Sequence, residues 1–527
     1  MSADSYIART LPQVVSEAAA HYGGQIAISD GDVQLSYEDL DAARVAAARA
    51  FVAAGLEKGD RVAIWAPNMY QWIIAAIGAQ SVGGVLVPLN TRMKGSEAAY
   101  ILNASGAKLL FTVGEFLGVS YPQLLQDQEL RQLEQIVMLT GEAKGTVAWD
   151  DFLSLGETVE AAEIEHRASA LTPDDTLDIL FTSGTTGNPK GVVTCHGQNI
   201  RSFETWSATV GLRNDDNYLI INPFFHSFGY KAGWLAAIIR GARILPVKSF
   251  DLDAVMAQIE EEKISMIPGP PTIYQSLLAH PKRNNYDLSS LRLAVTGAAP
   301  VPVELVRQMR EELGFEVVVT AYGLTESCGV VSICRADDSA ERISHTSGCA
   351  MPGVEMKCVD GQGNAVPAGQ EGEIWCRGFN VMRGYLDNPE ETAKNITEDG
   401  WLKTGDVGVM DEDGYVRITD RIKDMFIVGG FNCYPAEIEN ILHSMPGVAR
   451  AAVIGVPEER MGEVAMAYVV PVAEATLSEQ QVIEWSRGNM ANYKVPRSVQ
   501  FVEELPMNAG GKVLKNELRR LAREQDG

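Results

Sequence analysis

Positive charge is scarce in this 527-residue sequence: 44 Lys and Arg stand against 69 Asp and Glu, a formal net charge of -25. That balance excludes nucleic acid and an anionic membrane surface as principal partners, because both repel a strongly acidic protein. A small anionic ligand stays compatible, provided a local set of Lys, Arg and backbone N–H groups offsets the global field. Cysteine is sparse as well. The seven thiols run from Cys195 to Cys433 without CxxC or CxxH spacing, which points to a reducing compartment and away from a disulfide framework or a zinc site. The start, MSADSYIART, has neither a basic region nor an apolar core, so it does not read as a secretory signal. One charge-free run, Val62 to Thr91, is interrupted by Pro67, Asn68, Gln71, Gly83-Gly84 and Pro88. We read it as a helix followed by a buried strand rather than a membrane span. These absences predict a cytoplasmic protein with no integral membrane association. The sequence specifies no oligomeric state.

A Walker phosphate loop is also missing. The stretch FTSGTTGNPKG, from Phe181 to Gly191, has the right residue types, but Gly184, Gly187 and Lys190 are three apart and no Ser or Thr follows the lysine. A Walker loop needs Gly, four residues, then Gly-Lys-Ser/Thr, so that its N–H groups wrap the β-phosphate while the hydroxyl reaches magnesium. Two readings stay open for these residues alone: a phosphate loop of another kind, or an ordinary polar turn.

What is present is a long alternation. The chain exceeds what one hydrophobic core usually organises, so at least two domains are expected. Ser36-Tyr37-Glu38-Asp39 resembles a capping box, and Leu40, Val45, Phe51 and Val52 follow at helical spacing until Gly55. Short β-branched runs then alternate with amphipathic stretches: VAIW, VLVPL, LLFTV, LDILFTS, YLIIN, RILPV, SMIP, LRLAVTG and EVVVT. Such alternation predicts parallel sheets covered by helices on both faces. In sheets of this kind ligands bind beyond the carboxyl ends of strands. FTSGTTGNPKG, TGAAP and TAYGLTES each follow a strand directly and fall there.

After about Ala340 the texture changes to glycine-punctuated strands, GVEMKCVD, GEIWCRG and GYVRITD, which read as a small antiparallel barrel or sheet. From Asp424 onward the chain spells a compact α+β unit. The expected fold is therefore α/β: a large N-terminal domain, residues 1–422, of two doubly wound sheets plus a small β-barrel, then a C-terminal α+β domain, residues 423–527.

Several loops carry groups suited to a nucleotide. Tyr322 to Ser327 puts an aromatic ring, a glycine, a hydroxyl and a carboxylate after a buried strand; a ring can stack on a purine and a carboxylate can hold magnesium. The alternative is a capped helix start. Asp406, in GWLKTGDVG, reads as a carboxylate in a glycine-flanked turn that could accept hydrogen bonds from ribose hydroxyls, with Arg421 as its partner; alone, a turn Asp explains it equally well. Lys512 lies on a Gly-Gly turn near the end of the sequence, where a lysine is ordinarily solvated.

The joint order of FTSGTTGNPKG, NPFFHSFG, YGLTES, GEIWCRGFNVMRGY, GWLKTGD, DRIKDMFIVGGFNCYPAEIE and PMNAGGKVLK is specific. It resembles the acyl-adenylate-forming superfamily: acyl- and aryl-CoA synthetases, adenylation domains of peptide synthetases, and luciferases. The resemblance covers essentially the whole chain. It implies that ATP, Mg2+ and coenzyme A are used and that a carboxylic acid is the small-molecule partner. A carboxylate attacks the α-phosphate of ATP, pyrophosphate leaves, and a thiol then attacks the acyl-adenylate. Implied for the triphosphate are Thr182, Ser183, Gly184, Thr185, Thr186, Gly187, Asn188, Pro189 and Lys190. Gly297, Ala298, Ala299, Thr320, Ala321, Tyr322, Gly323, Leu324 and Thr325 are implied around adenine and the α-phosphate. Asp406 and Arg421 are implied for ribose, Glu326 with Thr182 for magnesium, and Lys512 as the catalytic cation bridging the substrate carboxylate and α-phosphate. His226 is implied as a gate between the acyl pocket and the thiol path, with Phe228, Gly229, Tyr230 and Lys231 lining that pocket. Lys231 is unexpected beside an apolar chain; it meets a polar group of the substrate or points to water. The resemblance further implies a mobile C-terminal domain that rotates about a hinge at Lys423 and brings Gly429 and Gly430 to the pantetheine of CoA.

The intervening text narrows the acid. HSFGYKAGW, PGPPTIYQSLL and FIVGGFNCYPAEIEN look similar to the CoA ligases of bacterial steroid degradation that act on the bicyclic propanoate left from rings C and D. Medium-chain fatty acids and aryl or cyclic carboxylates are the enzymatic alternatives, and an adenylate-binding sensor is the non-enzymatic one.

Overall fold

The computed structural model describes residues 8–182, 188–297, 301–421, 426–472, 475–506, 513 and 515–525. The chain divides into two compact units. The first comprises Met1–Thr91, Leu102–Leu180 and Gly191–Asp420; the second comprises Arg92–Ile101, Phe181–Lys190 and Arg421–Gly527.

In the first unit, the expected alternation becomes two large sheets. One runs in the order Cys349–Ala350, Ser332–Ile333, Val317–Tyr322, Leu293–Thr296, Met266–Gly269, Asn217–Ile220, Arg243–Pro246, Ile26–Asp30 and Val33–Ser36. Its six middle strands are parallel and its outer pairs antiparallel. The other runs Gly384–Tyr385, Lys190–Cys195, Thr176–Thr182, Val85–Pro88, Arg61–Trp65, Ala107–Val113, Gln135–Thr140 and Val147–Ala148. From Thr176–Thr182 to Val147–Ala148 this second sheet is parallel. Both faces of its centre are covered. Val62, Ala63, Ile64 and Trp65 are all sealed from solvent, which is why such strands read as unbroken apolar runs rather than alternating ones.

Local chemistry explains the helices. Ser36 caps the helix Tyr37–Ala53, accepting from the Asp39 amide at 3.0 Å while the Asp39 carboxylate accepts from the Ser36 amide at 2.9 Å. The charge-free run resolves into a strand, the helix Tyr70–Ser81 and a further strand. That helix is buried from Gln71 to Ser81, as a helix apolar all round must be. Gly78 lets it approach its neighbour, because a Cβ there would lie 2.6 Å from the Ala47 Cβ. Among the described residues no helix is long and apolar enough to cross a membrane.

The small antiparallel element expected after Ala340 is a sheet in the order Val354–Val359, Glu371–Gly378, Leu402–Met410 and Val416–Arg421. The second unit carries its own sheet, Phe431–Cys433, Phe426–Val428, Gly462–Pro471 and Val448–Glu458, with Ser498–Phe501 parallel to Gly462–Pro471. The helices Pro435–His443 and Glu479–Asn489 supply Ile438, Leu442 and Val482 to its core. Ser478 caps the second of these.

Candidate active site

Three segments of the first unit leave carboxyl ends of parallel strands: Gly297 after Leu293–Thr296, Gly323 after Val317–Tyr322, and the His226 segment after Asn217–Ile220. Thr182 closes the strand that precedes residues 183–187 of the expected phosphate loop, and Lys190 opens the strand that follows them. Residues 183–187, Ala298, Ala299, Lys423 and Lys512 lie outside the described residues, and only the backbone of Arg421 is described.

Tyr322 is buried, and its hydroxyl donates to Asp406 Oδ2 at 2.7 Å. Burial, reinforced by the Asp406 charge, pushes the phenol well above its ordinary range, so it acts only as a hydrogen-bonded ring. Asp406 does not sit in a turn, as its glycine neighbours indicate in the sequence. It belongs to the strand Leu402–Met410, where the register slips: Glu373 pairs Val407 and Trp375 pairs Lys403, so Ile374 faces Thr404, Gly405 and Asp406. Gly405 takes φ 75° in this bulge. The Thr404 hydroxyl accepts from the Asp406 amide at 3.1 Å and donates to the Ile374 carbonyl at 2.6 Å. Bulges re-aim side chains out of a regular pleat, and this one delivers Asp406 to Tyr322.

Leu324 to Ser327 forms a single 3-10 turn, Thr325–Ser327, rather than the start of a long helix. Gly323 is required before it, because a Cβ there would lie 2.4 Å from the Gly329 carbonyl oxygen. Glu326 is tied twice. Its carboxylate accepts from the Tyr385 hydroxyl at 2.9 Å, and its carbonyl accepts from the Met382 amide at 2.8 Å. The motif GEIWCRGFNVMRGY therefore contributes Tyr385, a residue the sequence reading does not single out; its partner lies 59 positions away, so no local signal links them. Thr320 turns its hydroxyl inward, toward the Ile343 and Thr346 carbonyls and Cys334. The hydroxyl proton is thereby committed to the protein.

His226 caps the short helix Ser227–Gly229, its Nδ1 accepting from the Phe228 amide at 3.2 Å. The proton of the neutral ring therefore resides on Nε2. The side chain is accessible yet has protein around it, as in a recess, and lost solvation lowers its pKa. Gly229 packs against the chain just before it, since a Cβ would stand 2.3 Å from the Asn222 and Pro223 carbonyl oxygens. Tyr230 is buried, with its hydroxyl accepting from Gln80 Nε2 at 3.0 Å.

Lys231 departs from both alternatives the sequence leaves for it. It is sealed from solvent and donates to Asp178 Oδ1 at 3.1 Å and Thr194 Oγ1 at 3.2 Å. The missed partner had a signal: Asp178 is the lone charge inside the apolar run LDILF, and a charge so placed is almost always paired. In the second unit, Gly429 and Gly430 form the two-residue turn of a hairpin, at φ 54° and 86°, the positive-φ pair that such hairpins favour.

Residues 15–386 match the AMP-binding enzyme family, and residues 437–512 match the AMP-binding enzyme C-terminal domain. A 3-(7a-methyl-1,5-dioxo-octahydro-1H-inden-4-yl)propanoyl:CoA ligase of Rhodococcus jostii is 49% identical over 97% of this chain and 98% of its own length. The enzyme of the same name from Mycobacterium tuberculosis is 47% identical over 97% and 99%. Among solved structures, o-succinylbenzoate CoA synthetase from Bacillus subtilis, bound with a product analogue, superposes with a TM-score of 0.83 at 29% identity, over 97% of this chain and 98% of that one. The chain belongs to the AMP-binding enzyme family and is an acid–thiol ligase.

Proposed function

We propose that the chain joins coenzyme A to a propanoate carried on a fused, ketone-bearing ring system, through an acyl-adenylate. The observation that carries the choice of acid is the near full-length similarity to the two indenyl-propanoyl ligases. It covers 97% of this chain and is therefore not confined to the nucleotide motifs. In the first step a carboxylate oxygen attacks the α-phosphate and pyrophosphate departs. In the second the CoA sulfur attacks the acyl carbonyl, its proton is lost, and AMP leaves.

Alignment and charge neutralisation dominate such a reaction, with little acid–base work. In this reading Tyr322 stacks on adenine, and the bond from its hydroxyl to Asp406 sets the ring's angle while Asp406 receives ribose. Thr325 meets the α-phosphate. Lys512 places its charge where the transition state gathers negative charge, and Gly429-Gly430 leaves room for pantetheine after rotation about Lys423. His226, neutral and oriented by the Phe228 amide, gates the path to the acyl carbonyl.

A magnesium ion fits the donor set. Among the described residues no three His, Cys, Asp or Glu side chains gather around a point, and magnesium is content with one or two carboxylates plus substrate phosphates. Glu326, steered by Tyr385, is the carboxylate that would hold it. The ion would supply charge compensation for the departing pyrophosphate.

A panel of acids with ATP, Mg2+ and CoA tests this reading through AMP release and thioester mass. The expected outcome is the highest kcat/KM for fused-ring propanoates, with octanoate and benzoate well below. A clear preference for octanoate would overturn the assignment of the acid.

A further inference from the structure

The segment that follows His226 is not a regular helix. Tyr230–Leu235 is a π-helical turn, kinked at Gly233 (φ -85°, ψ -106°), between Ser227–Gly229 and the helix Ala236–Arg240. A π turn frees carbonyls from their usual i+4 partners, and such turns concentrate at functional sites. Here the Ala232 carbonyl is taken by the Tyr218 hydroxyl at 2.9 Å. Tyr230 stacks on Trp234 with ring centroids 4.7 Å apart, and its amide donates to the His226 carbonyl at 2.9 Å. Any shift of the turn therefore shifts His226.

Lys231 reaches from this turn into the other large sheet. Asp178 and Thr194 stand on neighbouring strands of that sheet, Thr176–Thr182 and Lys190–Cys195. The Thr194 hydroxyl donates to Asp178 Oδ1 at 2.5 Å and accepts from Asn199 Nδ2 at 2.9 Å. A buried ion pair of this sort is an uneconomical way to gain stability, since a well-packed apolar pair of similar volume commonly does as well or better. What the ion pair adds is position: both charges must meet, with their hydrogen bonds, in one geometry.

We infer that Lys231, Asp178 and Thr194 form a sealed pin that fixes the π turn behind the acyl pocket, and that the pin selects rigid ring-bearing acids over flexible chains. Lys231 is thus a positioning residue that acts through Tyr230 and His226. The inference rests on the proposed acyl pocket beside His226. A flexible chain adapts to a displaced wall, whereas a fused ring cannot, so losing the pin penalises the ring acid more.

The test compares kcat/KM for a fused-ring propanoate and for octanoate in wild type, the Lys231→Met Asp178→Leu double variant and Thr194→Val. Removing both charges avoids stranding one of them, and Thr194→Val keeps the side-chain shape if the double variant fails to fold. The expected result is a fall in the ring-to-chain ratio of at least tenfold in the double variant and about threefold in Thr194→Val, carried by the KM of the ring acid. The KM for ATP should stay within about twofold and the melting temperature within a few degrees. A ratio within twofold of wild type in every variant that folds overturns the inference. The wild-type values alone test the choice of acid; should wild type reject the fused-ring acid, the same ratio is read with the cyclic or aryl acid it prefers.

Discussion

Two aspartates of the first unit are held by hydrogen bonds of similar length and serve opposite ends. Asp406 receives the Tyr322 hydroxyl at 2.7 Å from a strand bulge and is only half-buried. Asp178 receives Lys231 at 3.1 Å and is sealed completely. In the proposed function the first arrangement pre-orients a ring and a carboxylate toward an incoming nucleotide. The second leaves no ligand access and can act only on the protein around it. Solvent access, rather than the strength of the pairing, therefore separates the proposed binding carboxylate from the proposed positioning one.

Breaking the sealed pair should have the largest effect on stability. Lys231→Met alone strands a buried carboxylate, and the cost expected for such a break is about 3–5 kcal/mol, visible as a lower denaturant midpoint. The double variant with Asp178→Leu should recover most of it. Equal stability of single and double variants would show that the pair is not electrostatically coupled.

The next effect concerns the proposed adenylation step. Lys512→Ala should lower acid-dependent pyrophosphate exchange roughly 10²- to 10³-fold, the usual loss when a group that stabilises developing charge is removed. Thioester formation from supplied acyl-adenylate should change far less; equal loss in both would remove Lys512 from the adenylation step.

A third prediction uses a buried histidine. His196 is sealed and accepts from the Leu11 amide at 3.0 Å, and burial lowers its pKa to about 4. Between an unfolded value near 6.5 and the folded value near 4 the unfolded chain binds the extra proton. Stability should therefore fall as pH drops through that window and level off below it, by about 3 kcal/mol at most. His196→Gln, which keeps an acceptor, should flatten that slope in denaturant titrations at pH 7, 5.5 and 4.5.

The smallest effect sharpens the comparison directly. Tyr322→Phe removes one hydrogen bond to a carboxylate, worth about 1.5–3 kcal/mol. Because that bond serves the proposed nucleotide site, the loss should appear in kcat/KM for ATP, with little change in melting temperature. A variant that melts early but binds ATP normally would place Tyr322 with the sealed class.

Much of the architecture was legible because it is local. The capping box at Ser36, the apolar strands and the change of texture after Ala340 each depend on residues close in sequence. The exceptions are long-range. Asp406 reads as a turn residue because Gly405 signals one; only the slipped pairing with Glu371–Gly378 turns that glycine into a bulge. Tyr385 and Glu326 are paired across 59 positions, and Lys231 finds Asp178 across 53. Residue types at each end are visible in sequence, but the fold alone decides which ends meet. Asp178 marks where such a meeting can be anticipated: a lone charge in an apolar run needs a partner, even when the sequence does not say which.

The central claim is tested most directly by competition. Equimolar fused-ring propanoate and octanoate, incubated together with ATP, Mg2+ and limiting CoA, should yield mainly the ring thioester, as read by mass at early conversion. A product dominated by octanoyl-CoA would contradict the account.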